Sequence, residues 1–193
     1  MIEDCTAIIL AGGNSKRMGR DKASLPFNGD TLLQRVIDSV QPIFTQTLIS
    51  VRQHRADIAL PQIYDVQSDG GPLVGLISAL EATTTSWAFV VACDMPFVVP
   101  AVIVQLSNFR AAHQAVIPVV GEYAQPLAAF YARSCLPALQ HSLESGNKSL
   151  IKALNALDVC YVAEDELLKF DPLLRSFIDL DTPQDVALAK GMK

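Results

Sequence analysis

Residues 7–22 read Ala7-Ile8-Ile9-Leu10-Ala11-Gly12-Gly13-Asn14-Ser15-Lys16-Arg17-Met18-Gly19-Arg20-Asp21-Lys22. An apolar strand runs into a pair of glycines. A basic, Ser-containing loop follows, with a third glycine and a lysine at its far end. Glycine lets the backbone take positive φ and come close to a ligand. Successive N–H groups in such a turn form an anion-binding concavity, and Lys16, Arg17 and Lys22 add full positive charge. The stretch is built to wrap a polyphosphate. It is not a Walker A loop, because Arg20 rather than Lys-Ser/Thr follows Gly19, and it is not Gly-x-Gly-x-x-Gly. The plain alternative is a glycine-rich strand-to-helix turn with solvated cations.

Outward from this stretch, strand-like and helix-like runs alternate. Cys5–Leu10 reads as a first strand, and Thr31 caps a helix over Leu32–Gln41 whose apolar face is Leu32, Leu33, Val36, Ile37 and Val40. Thr47–Val51 and Gln62–Tyr64 read as strands, and Pro72 opens a helix reaching about Ala82. Trp87–Ala92 is continuously apolar, as a central parallel strand should be. Pro100–Ala112 reads as a helix, Ala115–Val120 and Leu127–Tyr131 as strands, and Ser134–Ser145 and Ser149–Leu157 as helices. Cys160–Val162 and Phe177–Ile178 read as short strands and Thr182–Lys190 as a closing helix. Gly121–Phe130 is the hardest segment to place and leaves room for an antiparallel pair beside the active site. The pattern predicts an α/β fold with a mostly parallel sheet covered on both faces, binding its ligand at the carboxyl ends of the strands.

Three further segments carry chemistry. In Val90-Val91-Ala92-Cys93-Asp94-Met95-Pro96, a buried strand runs straight into a carboxylate. Such an Asp needs a partner, a cap or a metal. Magnesium is held by one or two carboxylates plus substrate phosphates, so Asp94 is a metal candidate, with a turn or cap role as the alternative. Gly70-Gly71-Pro72-Leu73-Val74-Gly75 starts a helix in which Gly75 permits close approach of a ligand or another backbone. In Asp179-Leu180-Asp181-Thr182-Pro183-Gln184-Asp185, Thr182, Pro183 and Asp185 specify a helix start. Asp179 and Asp181 lie on one side of an extended segment, where two like charges invite a cation. Asp181 is the second metal candidate, with Asp179 behind it.

The composition sets bounds. The chain has 193 residues, half of them hydrophobic, and a formal charge of −5; mean hydropathy is +0.29. That predicts one well-buried domain over residues 1–193. No long basic stripe favours nucleic acid, no apolar run reaches a membrane span, and the acidic start Met1-Ile2-Glu3-Asp4 is unlike a signal peptide. Cys5, Cys93, Cys135 and Cys160 form no Cys-x-x-Cys, so they read as small buried residues in a reducing, cytoplasmic setting. His54, His113 and His141 show no metal-ligand spacing.

Leu10–Lys22 matches throughout the pattern Leu-Ala-Gly-Gly-x-Ser-x-Arg-Met-Gly-x-Asp-Lys, and on it the chain resembles the molybdenum cofactor guanylyltransferases of the nucleotidyltransferase superfamily. Cys93-Asp94-x-Pro96 and Gly71-Pro72-Leu73-x-Gly75 are also similar to family segments. The resemblance implies a Rossmann-like, three-layer nucleotidyltransferase fold of GT-A-like type. It implies transfer of GMP from GTP to the terminal phosphate of a molybdopterin-type cofactor, with Mg2+ as the metal. Leu10, Ala11, Gly12, Gly13, Lys22, Ser50, Asp65 and Asp94 would bind the nucleotide, Asp65 through guanine or through a ribose hydroxyl. Arg17, Lys22 and Asp94 would be catalytic, and Asp94 and Asp181 would hold the metal. Cofactor-delivering and cofactor-accepting proteins are the implied partners; nucleic acid and membrane are not. Gln125-Pro126-Leu127 and Gly146–Leu150 resemble acceptor-side segments. Two departures stand out: Ser50 falls where the family often has Asn, and Asp-x-Asp-Thr-Pro is commoner among cytidylyltransferases. A cytidylyltransferase, a sugar-1-phosphate nucleotidyltransferase and a non-catalytic nucleotide-binding regulator are the alternatives. Gly12-Gly13 speaks against the cytidylyl branch for this cofactor, which tends to read Leu-Ala-Ala-Gly. Lys22 and Asp94 speak for an enzyme.

Overall fold

The computed structural model describes residues 1–12, 21–64 and 71–191. In chain order the elements are β1 (Ile2–Leu10), β2 (Pro26–Phe27), β3 (Asp30–Thr31), α1 (Leu32–Val40), β4 (Phe44–Val51), β5 (Gln62–Tyr64), α2 (Gly71–Ala82), β6 (Trp87–Ala92), α3 (Pro100–Ser107) and β7 (Ala115–Val120). Then come β8 (Tyr123–Ala124), β9 (Ala128–Ala132), α4 (Leu136–Glu144), α5 (Leu150–Ala153), β10 (Val159–Val162), α6 (Glu164–Leu168) and α7 (Pro183–Ala189). The main sheet runs β10-β7-β9-β6-β1-β4-β5, with β8 paired to β7. It is mostly parallel; β9 is antiparallel to both β6 and β7, and β7–β8 is a hairpin. The difficult segment 121–130 thus holds antiparallel pairing.

Alternate residues of each central strand feed opposite layers. Ile9, Phe89, Val91 and Phe130 face one side, where α1 contributes Leu33, Val36, Ile37 and Val40 and α3 contributes Val102, Ile103 and Leu106. Ile8, Ala88, Val90 and Ala129 face the other, packed on Leu73, Leu76, Ile77 and Leu80 of α2, Leu139 of α4 and Leu150 of α5. This is the three-layer α/β arrangement that the alternation of elements predicts.

Several elements depart from the sequence expectation. β1 begins at Ile2 rather than Cys5, and β4 at Phe44 rather than Thr47. α3 ends at Ser107; Asn108 caps it, and Ala112 has φ +69°, which no helix continues through. Ser134–Ser145 begins as a 3-10 turn over Arg133–Cys135, and the stretch after Ser149 breaks into α5 and a 3-10 turn, Leu154–Ala156. Phe177–Ile178 is no strand: Arg175–Phe177 is a 3-10 turn, entered through Leu174 at φ +50°.

A third, smaller cluster matters most for the site. Phe27 and Leu32 pack with Leu180, Val186 and Ala189, and Phe97 adds an edge-on ring contact to Phe27 at 5.5 Å. The β2–β3 hairpin turns at Asn28 (φ +48°) and Gly29 (φ +92°), the Asn-Gly pair such a two-residue turn favours. The hairpin therefore welds together three segments far apart in sequence: the start of α1, the turn after β6, and the lead into α7.

Candidate functional site

The carboxyl ends of β1, β4 and β6 lie side by side. Leu10 is in register with Ser50 on one flank and Ala92 on the other. Beyond them the backbones stay tied: Ala11 N–H donates to the Ser50 carbonyl at 2.8 Å, and Cys93 N–H to the Leu10 carbonyl at 3.1 Å. A cleft of about 770 Å³ opens here, within the usual size range of small-ligand sites. Its floor is the strand ends, with Gly71, Pro72 and Gly75 of α2 on the wall, and Gln125, Pro126 and Leu127 before β9 also lining it.

The lysine at the far end of the glycine-rich stretch reaches into this cleft. Lys22 opens a three-residue 3-10 turn, Lys22–Ser24, whose N-cap is Asp21. Its ammonium donates to Asp94 Oδ2 at 2.6 Å and to Asp181 Oδ1. Lys22 and Asp94 are largely buried at 16% and 14% side-chain exposure; Asp181, at 41%, faces the opening. Asp181 is brought there by the backbone: Leu180 N–H donates to the Asp94 carbonyl at 3.0 Å. The Leu180 side chain turns into the third core cluster, which puts Asp179 and Asp181 on the other side of that extended segment.

The charges respond to this crowding. Burial alone would lower the Lys22 pKa, but its bonds to Asp181 and Asp94 outweigh that and raise it. The ammonium therefore stays charged at neutral pH. Asp179 is pushed up, first by burial and then by the negative charges of Asp181 and Asp94. The compensation that an ionised Asp94 requires comes, in the protein alone, from Lys22. Beside it, burial drives the Cys93 thiol up, and Cys5 and Cys135 go up to about 12 from the same cause. None of these three thiols is a thiolate nucleophile at neutral pH. All four cysteines are free, and Cys5, Cys93 and Cys135 are buried.

The structure brings together Leu10, Ala11, Gly12, Lys22, Ser50, Asp94 and Asp181, all of which line the one cleft. Gly13, Arg17 and Asp65 fall outside the described residues. Ser50 contributes through its carbonyl as well as its place on the cleft floor, and its side chain is buried. Two features escaped the sequence reading. Arg52 lines the cleft two residues beyond Ser50, and Arg55 binds the turn that carries Lys22. The two-residue repeat of an extended chain was the available signal for Arg52. Arg55 had none, since its partners lie in another segment.

A family model described as a MobA-like NTP transferase domain matches residues 7–159. A Pelotomaculum thermopropionicum protein named probable molybdenum cofactor guanylyltransferase is 32% identical over 189 residues, spanning 97% of this chain and 92% of its own. One of the same name from Chloroflexus aggregans is 34% identical over 194 residues, spanning 96% and 93%. Among solved structures, molybdopterin-guanine dinucleotide biosynthesis protein A from Archaeoglobus fulgidus has a TM-score of 0.86 at 30% identity, over 96% of both chains. The 2-C-methyl-D-erythritol 4-phosphate cytidylyltransferase of Thermus thermophilus has a TM-score of 0.69 over 95% of this chain and 96% of its own. At 14% identity the likeness is one of fold.

Proposed function

The chain belongs to the family of MobA-like NTP transferase domains, and from that premise we propose that it transfers GMP from GTP to the terminal phosphate of a molybdopterin-type cofactor. The acceptor phosphate oxygen attacks the α-phosphorus, the bond to the bridging oxygen breaks, and pyrophosphate leaves. A guanine dinucleotide form of the cofactor results. The observation that carries this reading is the Lys22 ammonium held between Asp94 and Asp181 at the carboxyl edge of β1 and β6.

Each group has a task. The Leu10–Gly13 backbone holds the nucleotide, and Asp65 binds guanine or ribose. Ser50 supports the nucleotide from the end of β4. Lys22, with Arg17, stabilises negative charge that builds on the α-phosphate and the departing pyrophosphate; fixed charges of this kind act in a cleft without reorganisation. Gln125–Leu127 faces the acceptor. Asp94 and Asp181 supply hard oxygen donors, and their shared ammonium marks a place where a cation is stable, so the donor set fits Mg2+. When bound, that ion would reduce repulsion between the two incoming phosphates. Orientation and charge neutralisation suffice for such chemistry, and no covalent enzyme intermediate is required.

No helix among the described residues is long and apolar enough to cross a membrane. The reading places the enzyme in the cytoplasm, with cofactor-delivering and cofactor-accepting proteins as its partners.

Asp179-Leu180-Asp181-Thr182-Pro183 favours a second reading, cytidylyl transfer. Comparing kcat/KM for GTP and CTP, with the dinucleotide product identified by mass, separates the two. Gly12-Gly13 leaves room for the larger purine, so GTP is expected to win; a preference for CTP would overturn the choice of base.

A further inference from the structure

The loop after β4 fixes Arg55 by its backbone before the side chain is used. Arg55 N–H donates to Gln62 Oε1 at 2.9 Å, and Gln62 Nε2 donates to the Arg55 carbonyl at 2.7 Å. Gln62 is the first residue of β5, so the loop is tied to the sheet. From that base the Arg55 side chain, 14% exposed, grips the Lys22–Ser24 turn at both ends through its guanidinium. Nη1 donates to the Asp21 carboxylate just before the turn, and Nη2 to Ser24 Oγ at its last residue. Asp21 in turn accepts from Ala23 N–H at 3.2 Å and from the Ser24 hydroxyl at 2.9 Å. Nη2 also reaches the Asp57 carboxylate at 3.0 Å. Asp57 is 62% exposed and Asp21 49%, so neither ion pair contributes much by itself. The hold on the turn lies in the joint geometry of the Asp21 and Ser24 contacts.

We propose that Arg55 is a positioning residue for Lys22. The proposal rests on Lys22 acting as a charge stabiliser in the function given above. A single 3-10 turn has poor hydrogen-bond geometry and an unfavourable nucleus, so it does not hold its own shape. The two residues enclosed by the Arg55 contacts are Lys22 and Ala23, and Lys22 is the one whose ammonium spans Asp94 and Asp181. A planar fork holds its donors at fixed angles to two acceptors, whereas a lysine ammonium is a freely rotating point charge. Arg55 thus aims a catalytic cation from outside the cleft, whose lining does not include it.

The test uses the full chain and begins without nucleotide. Lysine side chains are acylated briefly with acetic anhydride, and each is read by peptide mass spectrometry. In Arg55→Met, Lys22 is expected to label several-fold faster than in the wild type, while Lys152, on the distant α5, is unchanged. Arg55→Lys keeps the charge without the fork and should fall between, and it carries the comparison if Arg55→Met does not fold. Unchanged Lys22 labelling in a folded variant overturns the proposal. Kinetics then give the second arm. Arg55→Met should lower kcat by about tenfold to a hundredfold, the scale of a misplaced catalytic group, with KM for GTP nearly unchanged. In a Lys22→Met background it should cost nothing further, because the two act as one unit; losses that multiply would contradict it. A wild-type protein that transfers nothing from GTP would sink the proposed function, and the labelling would still decide the role of Arg55.

Discussion

Asp181 and Asp185 stand four residues apart and face opposite tasks. Asp185 turns back on its own chain: its carboxylate accepts from Asp181 N–H at 3.1 Å and Thr182 N–H at 2.7 Å, while Thr182 Oγ1 accepts from Asp185 N–H at 3.2 Å. That closed box starts α7 and satisfies backbone donors that the helix leaves open. Asp181 turns away from its own segment and pairs with a lysine 159 positions earlier. Asp94 does the same across 72 positions. A carboxylate spent on nearby backbone builds the fold. One that meets a distant cation in an open cleft leaves that cation available to a ligand's phosphates. The contrast separates these acidic residues into two sets. In the first, Asp185, and Asp4 on the Ser86 N–H 82 positions away, serve the backbone. In the second, Asp94 and Asp181 hold the Lys22 ammonium, with Asp179 crowded beside them.

Removing the shared cation should break the second set alone. Lys22→Ala is expected to lower GMP transfer by about 10²–10³-fold, the scale of losing an electrostatic stabiliser, with the fold intact by circular dichroism. Near wild-type turnover at saturating GTP would take Lys22 out of the mechanism. The first set should respond in stability. Thr182→Ala removes the cap that Asp185 reciprocates, and about 1 kcal/mol should be lost in denaturant unfolding. Its transfer rate is expected to stay close to that of the wild type; a loss comparable to that of Lys22→Ala would erase the distinction.

The smallest expected effect sharpens the first set through pH. Asp4 accepts from Ser86 N–H at 2.9 Å, and its bonds with Ser86 hold its pKa below the ordinary 3.8. A carboxylate with a lower pKa folded than unfolded stabilises fully above the unfolded value and loses that contribution as pH falls through the folded one. Asp4 sits at φ +47°, a region Asn tolerates, so Asp4→Asn changes the charge with little strain. Thermal unfolding should show the wild type above Asp4→Asn at pH 7, with the gap closing below 3.8. A gap independent of pH would deny the ionised bond a role.

What could be read in the sequence follows the same division. Local signals were legible. Thr31 caps α1 through Gln34 N–H at 3.0 Å, the Thr182–Asp185 box forms, and Gln62–Tyr64, Trp87–Ala92 and Ala115–Val120 are strands with the expected bounds. The direction of β9 was not legible, because all five of its side chains are buried and such a run reads alike in either direction. Phe177–Ile178 was too short to show a period. Asn28-Gly29 is a hairpin signal, but the strands on either side of it are two residues each and show no period of their own. The place of Lys22 in the site was legible through the resemblance, but its pairing with Asp94 and Asp181 was not, since it depends on the packing of Phe27 and Leu32 against Leu180. Of the three compensations the sequence leaves open for Asp94, a partner, a cap or a metal, the partner is present in Lys22, which stands 72 positions away and carries no local signal.

Asp94→Asn, followed by both unfolding and transfer, tests the central claim most directly. The substitution keeps the shape and removes one carboxylate charge. Lys22 retains Asp181, and Asp179 is relieved of a repelling neighbour. The melting temperature should therefore move by less than about 4 °C, on the order of 1 kcal/mol for a chain of this size, while metal-dependent transfer of GMP is lost. A variant that melts far below the wild type yet transfers GMP at the wild-type rate would make Asp94 a structural carboxylate like Asp185 and contradict the account.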